Sequence, residues 1–125
     1  MRLSELEPRF IRREVGPCYA GALGCRTMSA HDSHEWHIDV DDIAEADGLF
    51  FLCPVCFKKN GGPRGTHAII CWQPKVPPHV SPKPGRWAFQ GTGIEDLSLV
   101  AGSSSIFLST AECAAHFFIR NGSIE

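Results

Sequence analysis

The sequence predicts a mostly β, small α+β domain, and three features indicate that class. Short apolar runs rich in β-branched and aromatic residues recur along the chain, separated by glycine and proline. Helix signals are confined to one short segment. The 125 residues fit one compact domain, and their 43% hydrophobic and 21% charged content is ordinary for a globular protein.

We expect a single domain over residues 1–125 with three parts. Residues 1–17 mix apolar and charged side chains and predict an N-terminal arm, extended or irregular, that packs onto the domain. Residues 18–37 turn to Gly, Ala, Ser and His, and predict a loop or insertion. The core is expected over residues 41–125.

Within the core, a helix is expected over 41–48, because Asp42 and Glu45 fit a capping box. Asn121-Gly122 is the dipeptide typical of a type I′ hairpin turn. Strands are predicted at 49–52, 66–72, 86–90, 97–100 and 105–108.

The segment 73–85 contains five prolines, which prevent regular strand pairing. It therefore predicts a long, stiff Pro-rich loop at the surface, and such a loop is a candidate cover for a site.

Charge and hydropathy argue against several classes of partner. A formal net charge of -2 and a pI near 6.3 give no basic field of the kind that binds phosphate, so the prediction is no nucleic acid, with a local basic patch left open. No apolar run approaches the roughly 20 residues of a membrane span, which predicts no membrane partner. Residues 1–13 lack the apolar centre of a signal peptide, so we expect a cytoplasmic protein.

Six cysteines are many for such a chain. They could form three disulfides, but without an export signal a reducing compartment favours free thiols or metal thiolates. Metal binding is therefore the better expectation.

The pair Cys53-x-x-Cys56 fits half of a zinc site, a redox dithiol, or two unrelated core thiols. A redox pair usually opens a helix that lowers the thiol pKa, whereas residues 58–63 read Lys-Lys-Asn-Gly-Gly-Pro and should break a helix almost at once. The sequence thus favours a tight zinc knuckle.

A structural zinc ion needs four ligands, and Cys113-Ala-Ala-His116 offers the second pair if one helical turn holds both side chains on one side. We therefore predict one structural zinc ion on Cys53, Cys56, Cys113 and His116. The alternative is that Cys113 packs as a small apolar side chain and His116 as a hydrogen-bonded strand residue.

Other cysteines and histidines are weaker candidates. Cys71 could replace one ligand, but it lies in an apolar strand and is more typical of a core residue. A run of three histidines could form a second metal site if it were helical, but its polar surroundings favour a solvated loop: His31, His34 and His37.

His67 and the serines at 103–105 could form a base and a nucleophile if folding places them within hydrogen-bond reach. Considered as isolated residues, a hydrogen-bonded histidine and a serine-rich turn are the more common outcome.

Five short motifs between residues 46 and 125 resemble an uncharacterised family of small bacterial and phage proteins, described as a domain of unknown function. The match covers about two thirds of the chain. The motifs are Phe51-Leu-Cys-Pro-Val-Cys56, Gly65-Thr-His67, Gly85-Arg-Trp87 with Gly91-Thr-Gly93, Ser105-Ile106, and Cys113-Ala-Ala-His-Phe-Phe-Ile-Arg-Asn-Gly122. The chain departs from the family at Ser104, where proline is usual, and at Ala115, where tryptophan is usual.

The resemblance implies the same four zinc ligands and a cell of a bacterium or a phage-infected host. Some relatives are encoded beside bacterial ubiquitin-like conjugation genes, where a serine peptidase has been proposed. This implies a serine-type hydrolase acting on (iso)peptide or precursor bonds of a ubiquitin-like protein, with Ser105 as nucleophile and His67 as base. No third triad member matches, and Asp96 is only a candidate.

Two other functions stay open. A non-catalytic zinc module of a phage could bind a protein partner through exposed aromatic side chains such as Trp72, Trp87 and Phe89. Alternatively, zinc itself could be catalytic if water replaced one of the four ligands.

Overall fold

A computed structural model describes residues 1–17, 33–82, 85–100, 106–109 and 113–125. The described residues form many short strands and one α-helix, which confirms the mostly β prediction. The elements are β1 (Arg9–Pro17), β2 (Ser33–Val40), β3 (Gly48–Leu52), α1 (Pro54–Asn60), β4 (Ala68–Trp72), β5 (Ala88–Gln90), β6 (Ser98–Val100), β7 (Ile106–Ser109), β8 (Ala114–Phe117), β9 (Ile119–Arg120) and β10 (Ser123–Ile124).

The largest sheet has four antiparallel strands in the order β2-β1-β3-β4. The predicted arm at 1–17 therefore supplies an interior strand of this sheet. The loop predicted over 18–37 is wrong at its C-terminal end, because Ser33–Val40 pairs along β1 from Val40 opposite Phe10 to Ser33 opposite Pro17. Pairing with β1 satisfies the backbone of a segment whose polar composition resembles a loop. Residues 18–32 lie outside the described part of the chain.

Side chains alternate along these strands, so that apolar residues lie on both faces of the sheet. On β3 and β4, the residues Leu49, Phe51, Ile69 and Cys71 belong to the main hydrophobic core. Their neighbours point to the opposite face, where a second cluster forms around Ile11, Trp72, Val76 and Val80. The main core also receives Cys53, Cys113, Ala115 and Phe117, which brings the end of β3 close to β8.

The Pro-rich loop covers the second face of the sheet. Val76 and Val80 pack with Trp72, whose indole N–H donates to the Ser81 carbonyl at 2.9 Å. Trp72 is consequently 1% exposed, so it cannot offer the exposed aromatic surface that the partner-binding alternative assigned to it. The loop covers Trp72 through contacts of its own valines.

Arg86 holds this loop in place through its guanidinium group. Its nitrogens donate to five backbone carbonyls at distances of 2.6–3.2 Å, those of Val76, Pro77, Val80, Pro82 and Gly85. Carbonyls of a proline-rich segment find few backbone N–H partners, because proline has no N–H to donate. The planar fork of arginine can satisfy several of them at once.

Replacing Arg86 with lysine is expected to lower the free energy of unfolding by about 2 kcal/mol, because an ammonium group has three donors and no fixed fork. Urea denaturation measures the change. The matched control is Arg120→Lys, whose ion pair with Glu125 at 3.7 Å is exposed and should cost less than about 0.5 kcal/mol. Equal losses in the two variants would contradict the role assigned to Arg86.

Two local predictions have different outcomes. The type I′ turn is confirmed, since Asn121 and Gly122 have φ values of 50° and 75° between β9 and β10. The helix expected over 41–48 is only a single 3₁₀ turn, Ile43–Glu45, capped by the Asp42 carboxylate, which accepts from the Ala44 N–H at 2.9 Å. In the described residues no helix is long and apolar enough to span a membrane.

Candidate metal centre

Four metal-ligating side chains converge at the end of β3. The sulfur atoms of Cys53, Cys56 and Cys113 and an imidazole nitrogen of His67 all lie within 4.8 Å of one another. Cys53 and Cys113 are buried, whereas His67 is exposed. The group is thus embedded in the core on its thiol side and reaches solvent on its imidazole side.

Cys53 and Cys56 occupy the first turn of α1. Cys53 follows the last residue of β3 and is the N-cap of the helix, and its carbonyl accepts from the Phe57 N–H at 2.9 Å. Cys56 is three residues further on, so both thiols lie on one side of the turn. Proline at the first helical position suits this start, because its missing N–H would have no partner there.

The helix corrects one step of the sequence argument. Residues 58–63 were expected to break a helix almost at once, but α1 continues to Asn60 and ends only at Gly61, whose φ of 71° is the left-handed conformation of a C-cap. The absence of a helix therefore cannot separate a zinc knuckle from a redox dithiol. The convergence of a third thiol and an imidazole has to make that distinction.

The register of β3 and β4 places His67 in the group. Leu52 pairs with Ala68, so the next position outward sets Cys53 opposite His67. The Cys53 N–H donates to the His67 carbonyl at 2.9 Å, and this hydrogen bond holds the two residues side by side. A residue assigned to catalysis in the sequence analysis therefore lies among the four side chains that could hold a metal ion.

Cys113 enters the group from the start of β8. The helical turn expected from Cys113 to His116 is wrong, because Ala114–Phe117 is a strand. Side chains alternate along a strand, so Cys113 and Ala115 are buried with the core while Ala114 and His116 are exposed. Phe117, on the inner face, contacts Phe51 edge-on with ring centroids 6.0 Å apart.

His116 consequently lies outside the group of four. Its ring is on the outer face of β8, with its centroid 6.1 Å from that of Phe118. An odd spacing of three residues places two side chains on one side of a helix but on opposite faces of a strand. Whether His116 lies on the same side as Cys113 therefore depends on the secondary structure of residues 113–117.

The group fits a tetrahedral zinc ion. Zinc–sulfur bonds of about 2.3 Å at tetrahedral angles set sulfur atoms about 3.8 Å apart. The Sγ atoms of Cys53 and Cys113 are 3.6 Å apart, which is close to this value and far from the ~2.05 Å of a disulfide. The four described cysteines are free thiols. Three soft sulfurs with one imidazole form a donor set typical of structural zinc.

Burial and crowding make thiolates costly here in the absence of a cation. Burial, followed by the hydrogen bonds and negative charges of Cys56 and Cys53, raises the pKa of Cys113 to about 12. Burial also raises the pKa of the Cys71 thiol. Cys71 is 0% exposed within the main core, as expected for a core residue rather than a ligand.

The predicted catalytic pair of Ser105 and His67 stays a prediction, because only His67 belongs to the described residues. Ser105 lies outside the described residues, as do Ser103, Ser104 and Gly102. Of the three histidines considered for a second site, His37 lies on β2 with its ring edge against Trp72, 5.2 Å between centroids. His34 and His37 therefore belong to a strand, Ser33–Val40, rather than to the expected solvated loop, and His31 lies outside the described residues.

Asp96, the candidate third triad member, is engaged in its own loop. Its carboxylate oxygens accept from the N–H groups of Thr92 and Gly93 at 2.9–3.0 Å and from the Thr92 hydroxyl at 3.0 Å. These hydrogen bonds, with the Thr92 N–H first, lower the pKa of Asp96 below its ordinary value of 3.8. The interactions stabilise the loop that precedes β6.

Replacing Asp96 with asparagine is expected to lower the melting temperature at neutral pH and to have little effect at low pH. The pKa is lower in the folded state, so the ionised carboxylate stabilises the fold above the unfolded pKa. This stabilisation is lost as pH falls through the folded pKa. Thermal melts of both proteins from pH 7 to pH 2 measure it, and a difference that stayed constant with pH would contradict the assignment.

Comparisons with known proteins add no identification. Neither a protein-family model, nor a curated protein, nor a solved structure matches this chain. The family resemblance carried by the short motifs therefore stays a prediction.

Proposed function

We propose that this chain is a zinc-binding module in which Cys53, Cys56, His67 and Cys113 hold one structural zinc ion. The observation that carries the proposal is the convergence of the four donor atoms within 4.8 Å. The ligands come from the end of β3, the first turn of α1, the approach to β4 and the approach to β8. One ion would thus tie together segments that are 60 residues apart in sequence.

A structural role is favoured over a catalytic one because four protein ligands complete the tetrahedron. Catalytic zinc sites usually have three protein ligands and leave the fourth position to water or substrate. Two of the thiols are also buried in the main core, where they pack against apolar side chains. A redox dithiol would use Cys53 and Cys56 alone and would give no role to Cys113 and His67.

Native mass spectrometry of the purified protein tests the proposal. We expect one zinc ion per chain, and we expect a chelator to remove both the ion and the native circular dichroism and fluorescence signals. Retention of the fold after complete removal of zinc would refute a structural role. If the purified protein held no zinc and bound none on titration, the zinc module itself would be refuted.

The family resemblance supports a second candidate, a serine-type hydrolase of ubiquitin-like (iso)peptide bonds. It gives His67 a competing role, since an imidazole nitrogen bound to zinc cannot also accept a proton from Ser105. A fluorophosphonate probe separates the candidates. A covalent adduct on Ser105 that is absent in His67→Ala would support the hydrolase, provided that the variant remains folded. A zinc-loaded protein without adduct supports the non-catalytic module, and pull-down then tests the protein partner expected for it.

A further inference from the structure

Positive charge is concentrated in the part of the sequence that contains three of the four proposed zinc ligands. Residues 48–94 contain six of the twelve lysines and arginines and none of the fourteen acidic residues. The net charge of -2 is therefore the sum of a positively charged segment, residues 48–94, and a negatively charged remainder. This segment contains β3, α1 and β4, the elements next to Cys53, Cys56 and His67.

Most described cations are compensated by partners within the fold. Five of them form ion pairs of 2.9–3.8 Å with carboxylates: Arg2, Arg9, Arg12, Lys75 and Arg120. Arg86 binds backbone carbonyls, and Arg13 also has an interaction partner. Lys58, Lys59 and Arg64 remain, and they form no ion pair or side-chain hydrogen bond with any described residue.

These three exposed cations lie on residues 58–66, which comprise the last turn of α1 and the loop after it and which we call the basic loop. Its conformation is fixed by its own polar groups. The Thr66 hydroxyl donates to the Gly62 carbonyl at 2.7 Å and accepts from the Asn60 amide at 3.2 Å, and the Thr66 N–H donates to the Pro63 carbonyl at 3.0 Å. An ordered loop presents its charges without a large loss of conformational entropy on binding.

The backbone of the basic loop is open to close approach. A Cβ atom added at Gly61 or Gly62 would meet nothing within 4 Å, and both residues have positive φ values. Glycine at such positions lets a ligand approach the chain closely, because no side chain stands in the way. The N–H groups of Gly61 and Gly62 already donate to carbonyls of α1, those of Lys58 and Phe57, so the donors that this loop offers to a phosphate are its three cationic side chains.

We propose that the basic loop binds the phosphate backbone of duplex nucleic acid without reading its sequence. A protein interface would need aromatic or other apolar anchors, and none of the exposed large hydrophobic residues of the described chain lies in this loop. Single-strand binding relies on exposed aromatic side chains that stack on bases, and the basic loop contains no aromatic residue. The three cations lie outside the zinc ligands, so this proposal goes beyond the metal centre.

Fluorescence anisotropy of the zinc-loaded full chain with a labelled DNA duplex tests the proposal. Three phosphate contacts predict weak binding, with dissociation constants of about 1–100 μM, that falls about 40-fold between 50 and 200 mM salt. Lys58→Gln/Lys59→Gln/Arg64→Gln should abolish most of this binding. The control Arg9→Gln/Arg12→Gln/Arg120→Gln has the same net charge and should retain binding within about two-fold, since those cations are already paired.

Zinc content and melting temperature of both triple variants are measured alongside, so that loss of the metal centre is distinguished from loss of the basic loop. Lys58→Arg/Lys59→Arg/Arg64→Lys, which keeps every charge, should bind as the natural chain does. Equal loss of binding in the loop variant and the control would overturn the proposal. So would tighter binding of a labelled polyglutamate peptide, which would indicate an acidic protein partner, or of single-stranded DNA.

Discussion

Cys113→Ser is expected to abolish zinc binding and to unfold the domain at 25 °C. Structural zinc contributes about 10–16 kcal/mol in small zinc-finger peptides, which is comparable to the net stability of a whole domain, about 5–15 kcal/mol. Cys113 is buried, and its thiol lies 3.6 Å from that of Cys53. A serine hydroxyl at this position is a poor zinc ligand and would also be a buried polar group. Native mass spectrometry and circular dichroism measure the two losses together.

The matched control is Cys71→Ala, which removes another fully buried thiol of the same core. We expect this variant to retain one zinc ion and a cooperative unfolding transition, with a loss of about 1–2 kcal/mol from the small cavity. Loss of zinc in both variants would mean that core packing controls metal binding. Retention of zinc in Cys113→Ser would exclude Cys113 from the ligand set.

Local patterns predict the strands well because each depends on residues close in sequence. The apolar run at 49–52, the β-branched run ending at Trp72 and the Asn121-Gly122 turn are all found within one or two residues of their predicted positions. Ser33–Val40 was not predicted, although Trp36, Ile38 and Val40 alternate with polar residues as on a strand. Its strand conformation comes from pairing with β1, which the polar composition of the segment does not indicate.

The fourth ligand of the candidate site could not be identified from local spacing alone. Three thiols could be proposed from their spacing, but the histidine depends on secondary structure that spacing leaves undecided. A helical turn would select His116, whereas the observed strand turns His116 outward. The antiparallel β3–β4 pair, with Leu52 opposite Ala68, instead brings His67 beside Cys53. If the predicted strands at 49–52 and 66–72 had been aligned as an antiparallel pair, His67 would have been found near Cys53.

A pair of histidine variants decides between these two assignments, and its expected effect is second only to that of Cys113→Ser. His67→Ala should weaken zinc binding by about 100-fold or more, because loss of even an outer-shell partner costs 10–100-fold and His67 is proposed as a direct ligand. His116→Ala should leave zinc affinity within about two-fold, since its ring lies on the outer face of β8. Competition with a chromophoric chelator measures both affinities.

The variant His67→Cys complements His67→Ala, because a fourth thiolate at the same backbone position restores a complete tetrahedral ligand set. We expect this variant to recover tight zinc binding and the native melting temperature, whereas a general base could not be replaced by cysteine with recovery of hydrolysis. Cobalt substitution adds a spectroscopic test, since a change from three sulfur ligands and one nitrogen to four sulfurs alters the visible absorption of tetrahedral Co²⁺. If His116→Ala lost zinc and His67→Ala retained it, the ligand set would be Cys53, Cys56, Cys113 and His116, and β8 would have to rearrange when the ion binds.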